Sequence, residues 1–131
     1  MKEFKNKYTA DLLFAIDNLD TQVLQSVANH IMVAKGNNNT IYLLGNGGSS
    51  ATPSHSAGDW TKELEIRTIC LSDNTPAVTA FANDTDYSSI FSRQIEGLGK
   101  PNDVLIAIST SGNSKNIIKA IEIARTILMK I

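Results

Sequence analysis

The sequence predicts an α/β fold, a three-layer sandwich around a parallel sheet. Three apolar, β-rich runs each end in a short polar stretch, and each of these leads into a segment with helical periodicity. Strand, loop and helix repeated in this order are typical of a parallel sheet that is covered by helices on both faces. Since 131 residues are the length of one domain, we assign residues 1–131 to a single unit.

Two helices are predicted within residues 1–36, ahead of the sheet. Apolar residues recur there at spacings of three and four, as on one face of a helix: Leu12, Leu13, Ile16, Val23, Leu24, Val27, Ile31 and Ala34. Asp20 suits the N-cap of the second helix, and Gly36 suits the position just after its end.

The α/β core is predicted over residues 40–131. Its strands are expected at 41–44, 66–71 and 103–108. Its helices are expected at 51–63, 76–82, 88–98 and from 115 onwards. In the first of these helices, Thr52 and Pro53 suit the N-cap and the first helical position. Residues 127–131 resemble the start of a fourth strand, and we therefore expect the C-terminal part of the domain to be missing from this chain.

Composition excludes several classes of function. The formal net charge of −1 provides no basic surface for nucleic acid. No apolar run is long enough to cross a bilayer, and the N-terminus lacks the apolar core of a signal peptide. The single cysteine, Cys70, lies in an apolar run and is expected to be buried. These features predict a cytoplasmic protein.

Two serine- and glycine-rich loops are predicted at the same edge of the sheet, GNGGSS at 45–50 and STSGNS at 109–114. Each joins the carboxyl end of a strand to a helix N-terminus, where free N–H groups and partial positive charge suit an anion. The first loop is neither a dinucleotide-binding fingerprint, which needs glycine in place of Ser50, nor a P-loop, which needs a lysine.

Each loop alone has a simpler explanation. Residues 45–50 could form only a turn, and Ser114 could be only an N-cap. Two such loops at equivalent strand ends favour instead a site for a phosphorylated small molecule, with hydroxyl and amide donors from six side chains: Asn46, Ser49, Ser109, Thr110, Ser111 and Ser114.

Four motifs resemble those of the sugar isomerase (SIS) domain family, and in particular the phosphoheptose isomerases. They are GNGGS at 45–49 with His55 six residues later, AND at 82–84, IFSRQ at 90–94 and STSGNSKNI at 109–117. The resemblance implies a flavodoxin-like fold, a homo-oligomer (tetramer or dimer) and a phosphorylated sugar as ligand. The implied reaction is the aldose–ketose isomerisation of sedoheptulose 7-phosphate to D-glycero-D-manno-heptose 7-phosphate, a step toward lipopolysaccharide.

The resemblance also implies roles for individual residues. The phosphate group would be held by Ser109, Thr110, Ser111 and Ser114. The site for the sugar would be lined by Asn46, Gly47, Gly48, Ser49, Asn83 and Asp84. His55 and Asp59 would bind a zinc ion, and Asp59 would also be the catalytic base.

The spacing of His55 and Asp59 is compatible with these roles. Four residues apart, they share one face of a helix that begins just after the glycine loop. Isomerisation needs a base to move a proton between adjacent carbons, and a group that stabilises the enediolate oxygen. From the residues alone, however, a solvated helix-surface pair explains the two side chains equally well.

The sequence departs from the family pattern in ways that leave three hypotheses. Asp59 replaces a glutamate, and the C-terminal helix that would supply a glutamine and a histidine is absent, which leaves fewer than the three protein ligands of a catalytic zinc site. The chain is therefore an isomerase with its C-terminal part absent, a non-catalytic SIS module that binds a phosphosugar or a protein partner, or a structural fragment with empty loops.

Overall fold

The computed structural model describes residues 1–131 and contains three strands and six α-helices. The strands are β1 (Ile41–Gly45), β2 (Thr68–Cys70) and β3 (Val104–Ile108). The helices are α1 (Lys2–Asp17), α2 (Thr21–Gly36), α3 (Gly48–Leu64), α4 (Thr75–Asp84), α5 (Ser92–Leu98) and α6 (Lys115–Thr126), with a 3₁₀ turn at Tyr87–Ser89 between α4 and α5. None of the helices combines the length and apolar character that a bilayer crossing requires.

The sheet is parallel and has the order β2–β1–β3. β1 is the central strand, and all five of its residues are buried. Its pairing with β3 runs in register from Ile41 opposite Val104 to Gly45 opposite Ile108. The two strands therefore end at the same height, which determines where the loops that follow them begin.

The side chains of β1 alternate between two cores, one on each face of the sheet. Tyr42 and Leu44 belong to the larger cluster of 11 buried residues, which α5 and α6 complete. Ile41 and Leu43 belong to a cluster of seven that includes residues of α2 and α3. The predicted three-layer arrangement is confirmed. Cys70 is also buried, as predicted, and burial raises the pKa of its thiol.

The N-terminal helices form as predicted, and Asp20 caps α2 by accepting hydrogen bonds from the backbone N–H groups of Gln22 and Val23. Their apolar faces are mostly uncovered, however. α1 buries no residue, and α2 buries only Ala34. The large apolar side chains of α1 are exposed, and those of Phe4 and Phe14 are 70% exposed. The molecule thus carries an apolar surface that its own core does not use.

The predicted start of the helix after β1 is wrong. α3 begins at Gly48, so that Pro53 lies inside the helix and is buried, instead of occupying the first helical position. The first turn is closed earlier, because the N–H groups of Ser49 and Ser50 donate to the carbonyl groups of Asn46 and Gly47. Gly47 has a φ of +53°, in the left-handed region that favours glycine.

Pro53 has a consequence for Gly45. Proline has no N–H group, so it leaves the Ser49 carbonyl oxygen without its usual helical donor. That oxygen lies against Gly45, and a Cβ atom added at Gly45 would stand 1.9 Å from it. Glycine is therefore the residue that fits at the end of β1.

Smaller differences concern the element ends. β2 is shorter than the predicted strand at 66–71, and the predicted helix at 88–98 is divided into the 3₁₀ turn and α5. Gly36 is the last residue of α2, and its neighbour Asn37 is the C-cap. Of the predicted fourth strand, only Lys130 pairs, in a parallel bridge with Val104 on the outer edge of β3.

We predict that Gly45→Ala destabilises the protein by about 3 kcal/mol or more, since the methyl group meets backbone atoms that cannot rotate away. Gly58→Ala is the matched control, because a Cβ at this position of α3 enters open space. It is expected to stabilise the helix by about 0.5–1 kcal/mol. Urea denaturation measures both changes, and equal stabilities for the two variants would contradict the close approach at Gly45.

Candidate functional site

The loops that follow β1 and β3 lie side by side, because the two strands end in register. The hydroxyl oxygens of Ser49 and Thr110 are 3.4 Å apart across the gap between the loops. A cavity of about 190 Å³ lies between them, and eight residues line it: Asn46, Ser49, Ile108, Ser109, Thr110, Ser111, Ser114 and Ile117. The structure thus brings together all six side chains that the sequence predicts as donors.

The cavity is polar without being charged. None of its lining residues is ionisable, so its hydrogen-bonding capacity comes from hydroxyl and amide groups. Two helices also begin beside it: Ser49 is in the first turn of α3, and Ser114 is the N-cap of α6. The N-terminal ends of these helices carry partial positive charge, which suits an anion of the size of phosphate.

The second loop is held in shape by its own hydroxyl groups. The Ser109 Oγ accepts a hydrogen bond from the Gly112 N–H group at 3.2 Å, and the Ser111 Oγ accepts one from Asn113 at the same distance. Because both hydroxyls act as acceptors here, their hydrogens stay available to a ligand oxygen. Ser114 makes no side-chain bond to the first turn of α6, so the simple N-cap alternative does not describe its hydroxyl.

Asn46 connects the first loop to α6. Its side chain forms two hydrogen bonds with that of Asn116: the Asn116 Nδ2 donates to the Asn46 Oδ1 at 2.7 Å, and the Asn46 Nδ2 donates to the Asn116 Oδ1 at 3.0 Å. The hydroxyl of Tyr87 also donates to the Asn46 Oδ1, at 3.3 Å. Asn116 and Tyr87 were not among the residues predicted from the sequence, although Asn116 lies within the STSGNSKNI motif.

A cluster of polar residues holds the 3₁₀ turn against α6. The Lys119 Nζ donates to the Ser89 Oγ at 2.7 Å and lies 3.9 Å from the Asp86 carboxylate. Asp86 accepts hydrogen bonds from Ser88 and Ser89. These bonds, with Ser88 the main contributor, hold the pKa of Asp86 below its usual value. The cluster places Tyr87, in the same turn, beside Asn46.

Two neighbouring cavities share Asn46 with the first. One, of about 110 Å³, is lined by Gly45, Gly47, Tyr87 and six other residues. The other, of about 340 Å³, is lined by six residues that include Tyr87 and Lys115. The predicted Gly47 is therefore in the second cavity, while Gly48 lines none of them and forms the start of α3.

His55 and Asp59 pair as their spacing predicts, with 3.3 Å between Nε2 and Oδ2. They lie on the opposite side of α3 from Pro53 and Ala57, which face the core, and their side chains are 84% and 57% exposed. Neither lines any of the cavities described above. No cluster of three or more His, Cys, Asp or Glu side chains is arranged to hold a metal ion.

Asn83 and Asp84 lie at the C-terminal end of α4 and are exposed. The Asn83 Nδ2 donates to the Asp84 Oδ1 at 2.8 Å, and neither residue lines the cavity between the loops. Their role in binding a sugar stays a prediction.

A further cavity, of about 250 Å³, lies at the outer edge of β3. Seven of its nine lining residues are hydrophobic, and the two polar ones are His30 and Lys130. It has none of the hydroxyl groups that the site between the loops offers to an anion. The polar cavity is therefore the better candidate for the functional site.

The chain is similar to known proteins in sequence and in fold. A sequence model of the SIS domain matches residues 4–131. The chain is 41% identical over 126 residues to a probable phosphoheptose isomerase of Thermoplasma acidophilum, covering 92% of this chain and 69% of the relative. It is 42% identical over 122 residues to a phosphoheptose isomerase of Helicobacter pylori strain P12, covering 88% of this chain and 62% of the relative.

A solved structure is similar over nearly the whole chain. The phosphoheptose isomerase GmhA of Neisseria gonorrhoeae superimposes with a TM-score of 0.87 and is 34% identical, covering 98% of this chain and 71% of that protein. The α/β fold with a parallel sheet is thereby confirmed. The chain spans 62–69% of the length of the two curated relatives, so their complete activity is not carried over from similarity alone.

Proposed function

Since the chain belongs to the SIS domain family, we propose that the cavity between its two loops binds the phosphate group of a phosphorylated sugar. The observation that carries the proposal is the convergence of five hydroxyl groups and two helix N-termini on a single cavity without charged side chains. Such donors can surround a phosphate group, and hydrogen bonds to a charged acceptor are the stronger kind.

The proposed reaction is the isomerisation of sedoheptulose 7-phosphate to D-glycero-D-manno-heptose 7-phosphate. The names of the similar proteins support this substrate, and the assignment to lipopolysaccharide synthesis rests on the earlier resemblance only. In this proposal the cavity anchors the phosphate, Asn46 donates to a sugar oxygen, and Asp59 is the base. The charge of a phosphate prevents passive passage through a bilayer, which supports the predicted cytoplasmic location.

One observation favours the second candidate, a non-catalytic module that binds a phosphosugar. Neither the cavity between the loops nor its two neighbours is lined by a carboxylate or a histidine, and the proposed base Asp59 lies on the exposed side of α3. Proton transfer requires a base within hydrogen-bonding reach of the substrate, directly or through one water. The residues that form the cavity can therefore bind a ligand, while catalysis needs a base that they do not include.

Turnover of sedoheptulose 7-phosphate by the full-length protein separates the two candidates, and proton NMR of the sugar measures it. An isomerase is expected to interconvert the two heptose phosphates, and Asp59→Asn is expected to lower the rate by about 100-fold or more because the base is lost. Asp17→Asn, at the end of α1, is the control. Tight binding of sedoheptulose 7-phosphate without turnover would support the non-catalytic module. If the protein neither binds nor converts this sugar phosphate, the two loops have no ligand of this kind.

Ser111→Ala is predicted to weaken the binding of sedoheptulose 7-phosphate by about 1–2 kcal/mol, or about 5- to 30-fold in Kd, through loss of a hydrogen bond to a charged group. Isothermal titration measures the change. Ser26→Ala, on the exposed surface of α2, is the matched control and should leave the affinity unaltered. Equal affinities for the two variants would remove Ser111 from the site.

The zinc ion implied by the resemblance is not supported by a complete set of ligands. His55 and Asp59 are two donors, whereas a catalytic zinc site uses three protein ligands and a water. The residues of this chain alone do not fit such a site. We therefore propose that His55 and Asp59 belong to a zinc site only if residues outside this chain supply further ligands. No step of the proposed isomerisation is assigned to the metal.

We further propose that the exposed apolar face of α1 packs against another copy of the chain. The helix buries no residue within its own chain, so the double variant Leu12→Lys/Ile16→Lys should leave the fold intact. Analytical ultracentrifugation is expected to show an oligomer for the unmodified protein and a smaller species for this variant, because burying charge costs several kcal/mol. Glu3→Lys is the control, because position 3 lies on the opposite side of α1 from Leu12 and Ile16. A monomeric unmodified protein would refute the proposed assembly.

A further inference from the structure

We propose that Asn116 is a positioning residue that fixes the amide of Asn46 in one orientation, so that Asn46 meets its ligand only as a hydrogen-bond donor. This inference rests on the proposed function, because its consequence concerns how the site holds the sugar part of a sugar phosphate. Asn116 itself is 3% exposed and does not line the cavity between the loops. It borders the neighbouring cavity of about 340 Å³, but its Oδ1 and its Nδ2 are both bonded to the amide of Asn46. It therefore acts through Asn46 rather than on the phosphate.

The orientation is set from the backbone. The N–H group of Ile117 donates to the Asn116 Oδ1 at 3.0 Å. Since a backbone N–H can only donate, the atom of Asn116 that it meets must be the oxygen. The amide nitrogen of Asn116 then faces the Asn46 Oδ1, at 2.7 Å. Reversing either amide would bring two oxygens or two NH₂ groups together, so the pair has one favourable arrangement.

This arrangement uses up the acceptor capacity of Asn46. Its Oδ1 accepts from Asn116 and from the Tyr87 hydroxyl, and a carbonyl oxygen has two lone pairs. One hydrogen of its Nδ2 is bonded to the Asn116 Oδ1. The second Nδ2 hydrogen is the single hydrogen-bonding position of the side chain left for a ligand. Asn46 therefore selects an acceptor oxygen, such as a carbonyl or an enediolate oxygen.

The location of Asn46 indicates which part of the ligand it meets. Asn46 lines the polar cavity between the loops and also the two neighbouring cavities beside Tyr87. With the phosphate among the serine hydroxyls, the sugar chain leaves the first cavity past Asn46. The amide pair also joins two segments that are 70 residues apart in the chain, so it couples the first loop to the start of α6.

The test compares two ligands, sedoheptulose 7-phosphate and inorganic phosphate, by isothermal titration of the same protein. Asn116→Ala removes the partner of Asn46, and Asn116→Leu keeps a similar volume while removing both hydrogen-bonding groups without adding a charge near the bound anion. Asn113→Ala is the matched control, since this asparagine is exposed in the loop just before α6 and its side chain makes no hydrogen bond. Thermal denaturation without ligand establishes that each variant is folded.

A positioning role predicts a loss confined to the sugar. Both Asn116 variants should lower the affinity for sedoheptulose 7-phosphate by about five- to tenfold, the effect of one hydrogen bond, while the affinity for inorganic phosphate changes less than about twofold. A parallel loss for both ligands would mean a merely structural role, and no loss for either would mean no role. Both results overturn the inference.

A ligand-free measurement distinguishes failure of this inference from failure of the proposed function. The Asn46 side-chain amide hydrogen that is bonded to the Asn116 Oδ1, assigned by its disappearance in Asn46→Ala, should exchange slowly with water in the unmodified protein and rapidly in Asn116→Ala. Fast exchange in the unmodified protein overturns the inference. If the protein binds neither ligand but exchange is slow, the proposed function fails while the amide pair is upheld.

Discussion

The parallel pairing of β1 with β3 is the constraint on which the site depends. β1 is buried on both faces, so sliding it by one residue against β3 would move every side chain into the wrong core. The register therefore stays fixed to the last pair, Gly45 opposite Ile108. For this reason the two serine loops begin side by side. Their hydroxyl groups line one cavity, and no charged side chain is needed to bring them together.

Contacts outside the strands keep the loops in this position. The carbonyl group of Ser49 packs against Gly45, which brings the start of α3 close to the strand end. The Asn46–Asn116 pair then ties this loop to α6, and Lys119 ties the 3₁₀ turn to the same helix. The site is thus preorganised by backbone approach and by amide hydrogen bonds, which gives an anion-binding cavity with little local charge.

The parts predicted correctly from the sequence are those with local signals. Continuous apolar runs mark β1 and β3, and a serine–glycine loop follows each of them, so the cavity could be predicted from strand ends alone.

Pro53 was misleading, because proline usually marks a first helical turn and here it is tolerated inside α3. Tyr87 had no local signal, and the motif that contains Asn116 did not indicate its partner, since these contacts join residues 41 and 70 positions apart. The spacing of His55 and Asp59 predicted their pairing but not their exposed position.

The central claim is that the two loops form one binding site for a phosphorylated sugar. Backbone amide NMR during a titration with sedoheptulose 7-phosphate tests it most directly. We predict that resonances of residues 46–49 and 109–114 shift together and give one common dissociation constant. A response of only one loop, or two different constants, would contradict a single site.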